Sequence, residues 1–321
     1  MGSCCDRIRH RCAAQLAFGV LLSMSAAAQA DGLSGGPHFI GPLASPAPPL
    51  AKGGFNIEPY LMTGVSTAAF GANGDRHRSD APAHWATSIP IQYGLTDRVS
   101  VGMTLRGQYD RWPDGSRSPR MGDTTLSTSL ALHDFQGPQR ARLALTLRRG
   151  IATGRHDRLE HARAPGSGSG ASSTSLVLHG QAYFLEGLLR TRASANWTLP
   201  GARAGIRGRS VYGTDAGFLG SARLGHAAGG TLSAEYSIAP RWTLVGEALY
   251  DQSGATQVQG RAADGNPVWQ RSPSSWSVSV LPAVQYHFSD QVGLIAGVQL
   301  PLTGRNTSAT VVPQVALNVG F

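Results

Sequence analysis

VVPQVALNVGF, residues 311–321, ends the chain on an alternating strand and an aromatic residue, where most termini are polar and frayed. Val311, Pro313, Val315, Leu317, Val319 and Phe321 are apolar, while Val312, Gln314, Ala316, Asn318 and Gly320 are smaller or more polar. A period of two means a strand with two unlike faces. The fold turns on what the apolar face touches.

Composition narrows the answer. The 321 residues are 41% hydrophobic, carry 41 glycines and are only 15% charged, which favours strands and turns over long surface helices. A mean hydropathy of -0.13 with one long apolar run excludes a bundle of membrane helices. That run is amino-terminal and reads as a signal peptide over residues 1–30. Arg7, Arg9 and Arg11 form its basic region, Ala13 to Met24 its apolar region, and Ala28-Gln29-Ala30 its cleavage site. Cys4, Cys5 and Cys12 are the three cysteines and all lie in this segment, so the mature chain is expected to have no disulfide and no thiolate metal site. Cleavage leaves 25 basic against 18 acidic side chains, or +7, almost all arginine because Lys52 is the single lysine. These arginines are dispersed rather than clustered, which argues against nucleic acid as a partner.

Residues 31–53 are rich in Pro and Gly and read as a periplasmic lead-in or a plug. Residues 54–321 read as a barrel of about 12 strands, near 55–66, 84–95, 99–110, 124–134, 141–151, 174–185, 188–199, 228–238, 242–251, 275–288, 292–301 and 310–321. Each segment is close to the ten or so residues that a tilted strand needs to cross a bilayer. Connections after even-numbered strands are tight, as at Thr96-Asp97-Arg98 and Ser289-Asp290-Gln291. Those after odd-numbered strands are long and rich in Gly, Ser, Arg and Asp, as in ATGRHDRLEHARAPGSGSG. Sorting of loop length by parity describes an up-and-down antiparallel transmembrane β-barrel, and a soluble sandwich has no reason for it.

Aromatic placement decides whether the apolar faces point inward or to lipid. With long loops outside, Trp85, Tyr109, Trp197, Tyr250 and Trp276 fall at outer strand ends on the apolar parity. Phe55, Tyr93, Phe184, Tyr236, Trp242, Tyr286, Phe288 and Phe321 fall at the inner ends. Two girdles at two interfaces are what amphipathic rings prefer, so the apolar face meets outer-membrane lipid and Phe321 anchors the closing strand.

The closing strand with its terminal Phe321 resembles the signal by which bacterial outer-membrane barrels are recognised by their assembly machinery. KGGFNIEPY (52–60), YGLTDRVSVG (93–102) and MGDTTLS (121–127) resemble the outer-membrane transporter family of the MetA-pathway of phenol degradation. The resemblance implies passage of small, aromatic compounds across the outer membrane of a Gram-negative bacterium.

Chemistry within the chain is sparse. His156-Asp157-Arg158-Leu159-Glu160-His161 could ligate a divalent metal, although a charge-rich external loop is more simply solvated. GSGSG (166–170) follows no strand and opens no helix, so it reads as a flexible tip rather than a phosphate loop. A lipid hydrolase needs an acid, a His and a Ser in one constellation, and around His179 stands only Leu-His-Gly-Gln. No enzyme, redox cofactor or structural metal is therefore implied.

The inward parity is more informative. Arg106, Arg142, Arg148, Arg190 and Arg192, with His179 between them, occupy one arc of the wall, and Glu58, Glu235, Glu247 and Asp251 another. Either the arcs set a field across a water-filled pore or the charges pair and close it. The sequence thus points to an outer-membrane channel or transporter for small, aromatic or anionic solutes. The alternatives are a structural or adhesin-like barrel and, more remotely, the hydrolase.

Overall fold

Phe55 and Phe321 exchange both backbone hydrogen bonds, Phe55 N to Phe321 O at 3.0 Å and Phe321 N to Phe55 O at 2.9 Å. This joins the first strand to the last. The computed structural model describes residues 37–111, 117–160 and 166–321. Its strands are β1 (Phe55–Ile57), β2 (Tyr60–Phe70), β3 (Arg76–Gly94), β4 (Val99–Arg111), β5 (Arg117–Met121), β6 (Thr124–Asp134), β7 (Arg142–Ile151), β8 (Ser173–Phe184) and β9 (Leu189–Pro200). They continue as β10 (Ala204–Arg207), β11 (Leu219–Arg223), β12 (Ala227–Ala239), β13 (Trp242–Ser253), β14 (Gln257–Arg261), β15 (Pro267–Arg271), β16 (Ser275–His287), β17 (Val292–Arg305) and β18 (Thr307–Gly320).

Twelve of these close into an antiparallel barrel in the order β2-β3-β4-β6-β7-β8-β9-β12-β13-β16-β17-β18, with β18 returning to β2. Strand β1 is the lower end of β2. Ile57 pairs with Ile91 and Tyr60 with Ser88 in one unbroken register. The gap at Glu58 and Pro59 arises because Pro59, and Pro90 across from Glu58, have no N–H to give to the ladder.

The alternation read from sequence is the alternation of the wall. Along β13, Thr243, Val245, Glu247 and Leu249 are buried while Trp242, Leu244, Gly246, Ala248 and Tyr250 are exposed. Leu126, Leu130, Leu147, Leu176, Leu178 and Leu232 are likewise exposed on the outside. Such an apolar exterior needs lipid, not water.

Of the expected interface aromatics, Trp85, Trp197, Trp242, Tyr250 and Phe321 are exposed, and Tyr109, Trp276, Tyr286 and Phe288 are half-buried by neighbours on the same outer face. Tyr286 packs between Trp242 and Phe288, with ring centroids 4.7 and 5.1 Å away. The Phe321 ring stands 6.2 Å from that of Phe55.

Deleting Phe321 removes both of its backbone bonds to Phe55, at about 1 kcal/mol each, together with an interfacial ring. Barrel stability is expected to fall by roughly 2–3 kcal/mol, with less heat-modifiable protein in the membrane fraction. Unchanged electrophoretic mobility and yield would mean that closure does not depend on this residue.

Two features differ from the sequence-based expectation. The connections after the first and eleventh strands are not long loops. β2 and β3 continue to a tip at residues 71–75, and β17 and β18 to Asn306, whose left-handed φ of 52° suits an asparagine turn. Segments such as Arg76-His77-Arg78 are polar on both faces and so hide their strand character. In addition, β10, β11, β14 and β15 form a separate four-stranded sheet at the long-loop end. Its inner face packs Ala204, Ile206, Phe218, Ala222 and Val258 against Ala171.

The expected flexible tip at 166–170 is instead held down. Asp123 accepts Gly154 N at 2.9 Å, Ser169 N at 2.8 Å and Ser169 Oγ at 2.9 Å. The Tyr212 hydroxyl donates to Ser169 O, and burial, with Asp123 nearby, pushes its pKa up to about 12, so it remains a donor through the alkaline range.

Candidate functional site

The barrel interior is the one place where charged side chains, strand parity and closure converge. Arg190 on β9 lies opposite Glu235 on β12. Its Nε and Nη2 each reach a carboxylate oxygen of Glu235 at 2.7 Å, in the forked geometry that suits guanidinium and carboxylate. Arg192 Nε stands 3.8 Å from the same carboxylate, and all three side chains are buried. The basic and acidic arcs therefore meet at the β9–β12 seam, where these residues pair instead of facing an open pore.

The remaining predicted residues occupy three levels. At the short-turn end, Arg142 pairs with Asp134 at 2.5 Å. At mid-height, His179 joins a buried polar chain, its Nε2 3.1 Å from Thr146 Oγ1, which is 2.8 Å from Ser129 Oγ. Glu58 is buried beside Tyr60 and Asn318. Toward the long-loop end, Arg106 donates to Thr125 Oγ1 at 3.0 Å, and Asp251 is exposed. Among the described residues neither Arg106 nor Arg148 has a carboxylate within ion-pairing distance.

Glu247 has a different partner. It accepts Ala44 N and Ser45 N, each at 3.1 Å, and Ser45 Oγ at 3.2 Å. Residues 37–53 thus enter the lumen from the short-turn end and return to it. His38 O accepts from Thr243, Ile40 N and Gly41 O bond the two ends of the Gln285 amide, and Pro48 O accepts from Gln92. At Gly41 the backbone has a φ of 139° and the Arg192 guanidinium lies against it, which favours glycine.

Leu43 fills an apolar cluster with Val245, Leu249, Leu281 and Ile295. Phe39 lies 4.8 Å from the guanidinium of Arg190. Ser45 and Phe39 lie in a segment without strand periodicity, and Gln285 sits unmarked on the polar parity of its strand, so the sequence carries no signal for their roles.

The loop considered for a metal does other work. His156 Nε2 bonds Gly205 O at 2.7 Å and Asp157 accepts Arg207 N at 2.9 Å, which ties the loop to β10. His161 lies outside the described residues.

A closed twelve-stranded antiparallel barrel, apolar outside and charged inside, is the architecture of bacterial outer-membrane channels. Among solved structures the chain is similar to the COG4313 outer membrane channel from Pseudomonas putida F1. That match has a TM-score of 0.66 at 15% identity and covers 88% of this chain and 99% of that one. A TodX monoaromatic hydrocarbon channel mutant matches at 0.45 and 12% identity, covering 92% and 98%. The KdgM porin with oligogalacturonate matches at 0.41 and 9%, covering 83% and 99%. No family model and no curated protein matches the chain.

Proposed function

We propose that this protein is an outer-membrane channel for small solutes, with its long loops outside the cell and residues 37–53 as a lumen plug on the periplasmic side. The observation that carries this reading is the polar interior. A barrel with no aqueous task has little reason to place Arg106, Arg148 and Asp251 on its inner parity above the plug.

Arg106 and Arg148, which have no carboxylate within ion-pairing distance among the described residues, favour anionic solutes, whereas Arg142 pairs with Asp134 and Arg190 and Arg192 share Glu235. The aromatic character of the solute, and membership of the MetA-pathway family, rest on the resemblance of residues 52–60, 93–102 and 121–127. Signal cleavage after Ala30 and recognition of the closing strand by the assembly machinery belong to the same reading.

Reversal potential across a planar bilayer tests it. The wild type is expected to favour anions, and R106E/R148E to move toward cation selectivity. The shift should shrink at 1 M salt, where mobile ions screen wall charge within about 3 Å. A selectivity indifferent to both substitutions would remove these arginines from the pathway.

A second reading, a structural or adhesin-like barrel, draws on the ordered outer sheet and the occupied lumen. Conductance after plug removal separates the two.

A further inference from the structure

The outer face of the four-stranded sheet has a pattern that the channel reading leaves unused. Each strand ends in arginine: Arg207 on β10, Arg223 on β11, Arg261 on β14 and Arg271 on β15. Neighbouring strands are antiparallel, so these ends alternate from one edge of the sheet to the other. One row reads Arg207, Leu219, Arg261 and Pro267 in register; the parallel row reads Arg223, Gln257 and Arg271. Between them runs a lower row of Gly205, Ser221 and Gln259, closed by Trp269, which is 66% exposed.

All four arginines are exposed. Among the described residues none of their guanidiniums makes an ion pair or a side-chain hydrogen bond, and no carboxylate lies in any of the three rows. The sheet is rigid enough to hold the pattern, because Phe218 covers Gly220 and Gly260 on its other face. Within each row the arginines stand on every second strand, with Leu219 or Gln257 between them, so each guanidinium is free to face an external partner.

We propose that this face is a binding groove for a linear acidic polysaccharide carrying one carboxylate on each sugar. Strands are about 4.8 Å apart and four residues along a strand span about 13 Å. The groove therefore presents one guanidinium per strand, on alternate walls. An extended uronic acid chain laid across the strands advances by a similar distance per sugar and turns successive carboxylates to opposite sides. Each carboxylate meets a planar fork that can bind it through two hydrogen bonds. Gln259 and Ser221 on the floor can bond sugar hydroxyls, and Trp269 offers an aromatic plate to a terminal ring. Lipopolysaccharide is the competing occupant, but its phosphates cluster instead of alternating along a line.

The test uses the whole barrel in phosphatidylcholine nanodiscs free of lipopolysaccharide, so its outcome is independent of whether the pore conducts. Oligogalacturonate is expected to bind and its fully methyl-esterified form not to, with affinity falling steeply as salt rises. R223Q/R261Q should weaken binding about tenfold or more, through loss of two charged forks.

Gly205→Tyr supplies a second arm that keeps the charge. A Cβ at Gly205 meets nothing within 4 Å, so a side chain has room to leave the backbone there and stand on the groove floor, and binding should again be lost. Equal binding of the acid and ester, or binding unaffected by either variant, overturns the proposal. Binding of deacylated lipopolysaccharide core without binding of the uronate chain also overturns it, and would assign the face to the membrane's own glycolipid.

Discussion

Deleting residues 38–50 is expected to raise single-channel conductance roughly tenfold, because a wall of this size is too wide for its own side chains to fill. Barrels of roughly eight strands are packed by side chains, whereas those of about 16 to 18 leave an aqueous channel, and twelve lies between. Here the remaining space is taken by the inserted segment, which is held by wall groups at several heights. Thr243 binds His38 O, Gln285 binds Ile40 and Gly41, and Glu247 binds Ala44 and Ser45.

Most of these bonds use the segment's backbone, so its removal leaves wall groups that water can satisfy, and the barrel itself should survive. Glu247→Gln is the graded version. It keeps one acceptor oxygen and the volume but loses the charge that draws two backbone N–H groups and a hydroxyl, so the channel should open intermittently. If the deletion protein conducts no better than wild type, the wall closes the lumen by itself and the structural reading gains.

The difference between wall and plug also explains what could be read from sequence. Strands such as β13 and β16 announce themselves because lipid on one side and water or packed charge on the other force a period of two. That pattern located the barrel and the inward parity of Glu235, Glu247, Arg190 and Arg192. It fails where both faces of a strand meet water, as at Arg76 to Arg78 and around Asn306. It fails again in β10, β11, β14 and β15, which are short and use Gly220 and Gly260 where a core side chain would otherwise stand.

Pairing was harder still to read. The facing of Arg190 and Glu235 depends on the register between β9 and β12, whose connection is long and carries two strands of the outer sheet. The path of residues 37–53 was not legible, because most of its hydrogen bonds to the wall run through N–H and C=O groups that every residue has, and Phe39, Leu43 and Ser45, whose side chains do touch the wall, follow no period.

The β9–β12 seam yields the second large effect. Glu235→Ala is expected to destabilise the barrel by about 3–5 kcal/mol, the usual consequence of leaving a buried charge without its counter-charge. Two guanidiniums, Arg190 and Arg192, depend on this one carboxylate, and both are buried with it. The same carboxylate also accepts from Gln285 Nε2 at 2.8 Å, and that amide holds Ile40 and Gly41. Loss of Glu235 should therefore loosen the plug and the wall together, raising conductance while lowering the urea midpoint of unfolding in lipid vesicles.

Arg190→Met combined with Glu235→Met separates charge from packing. Replacing both members of a buried pair by apolar residues is often close to neutral, so the double variant should recover much of the stability lost in Glu235→Ala, less the share that belongs to Arg192. A cost below about 1 kcal/mol for Glu235→Ala alone would place the seam in contact with water, as for an exposed ion pair. The lumen at this height would then be an open passage, and the inserted segment a loosely held strand within it.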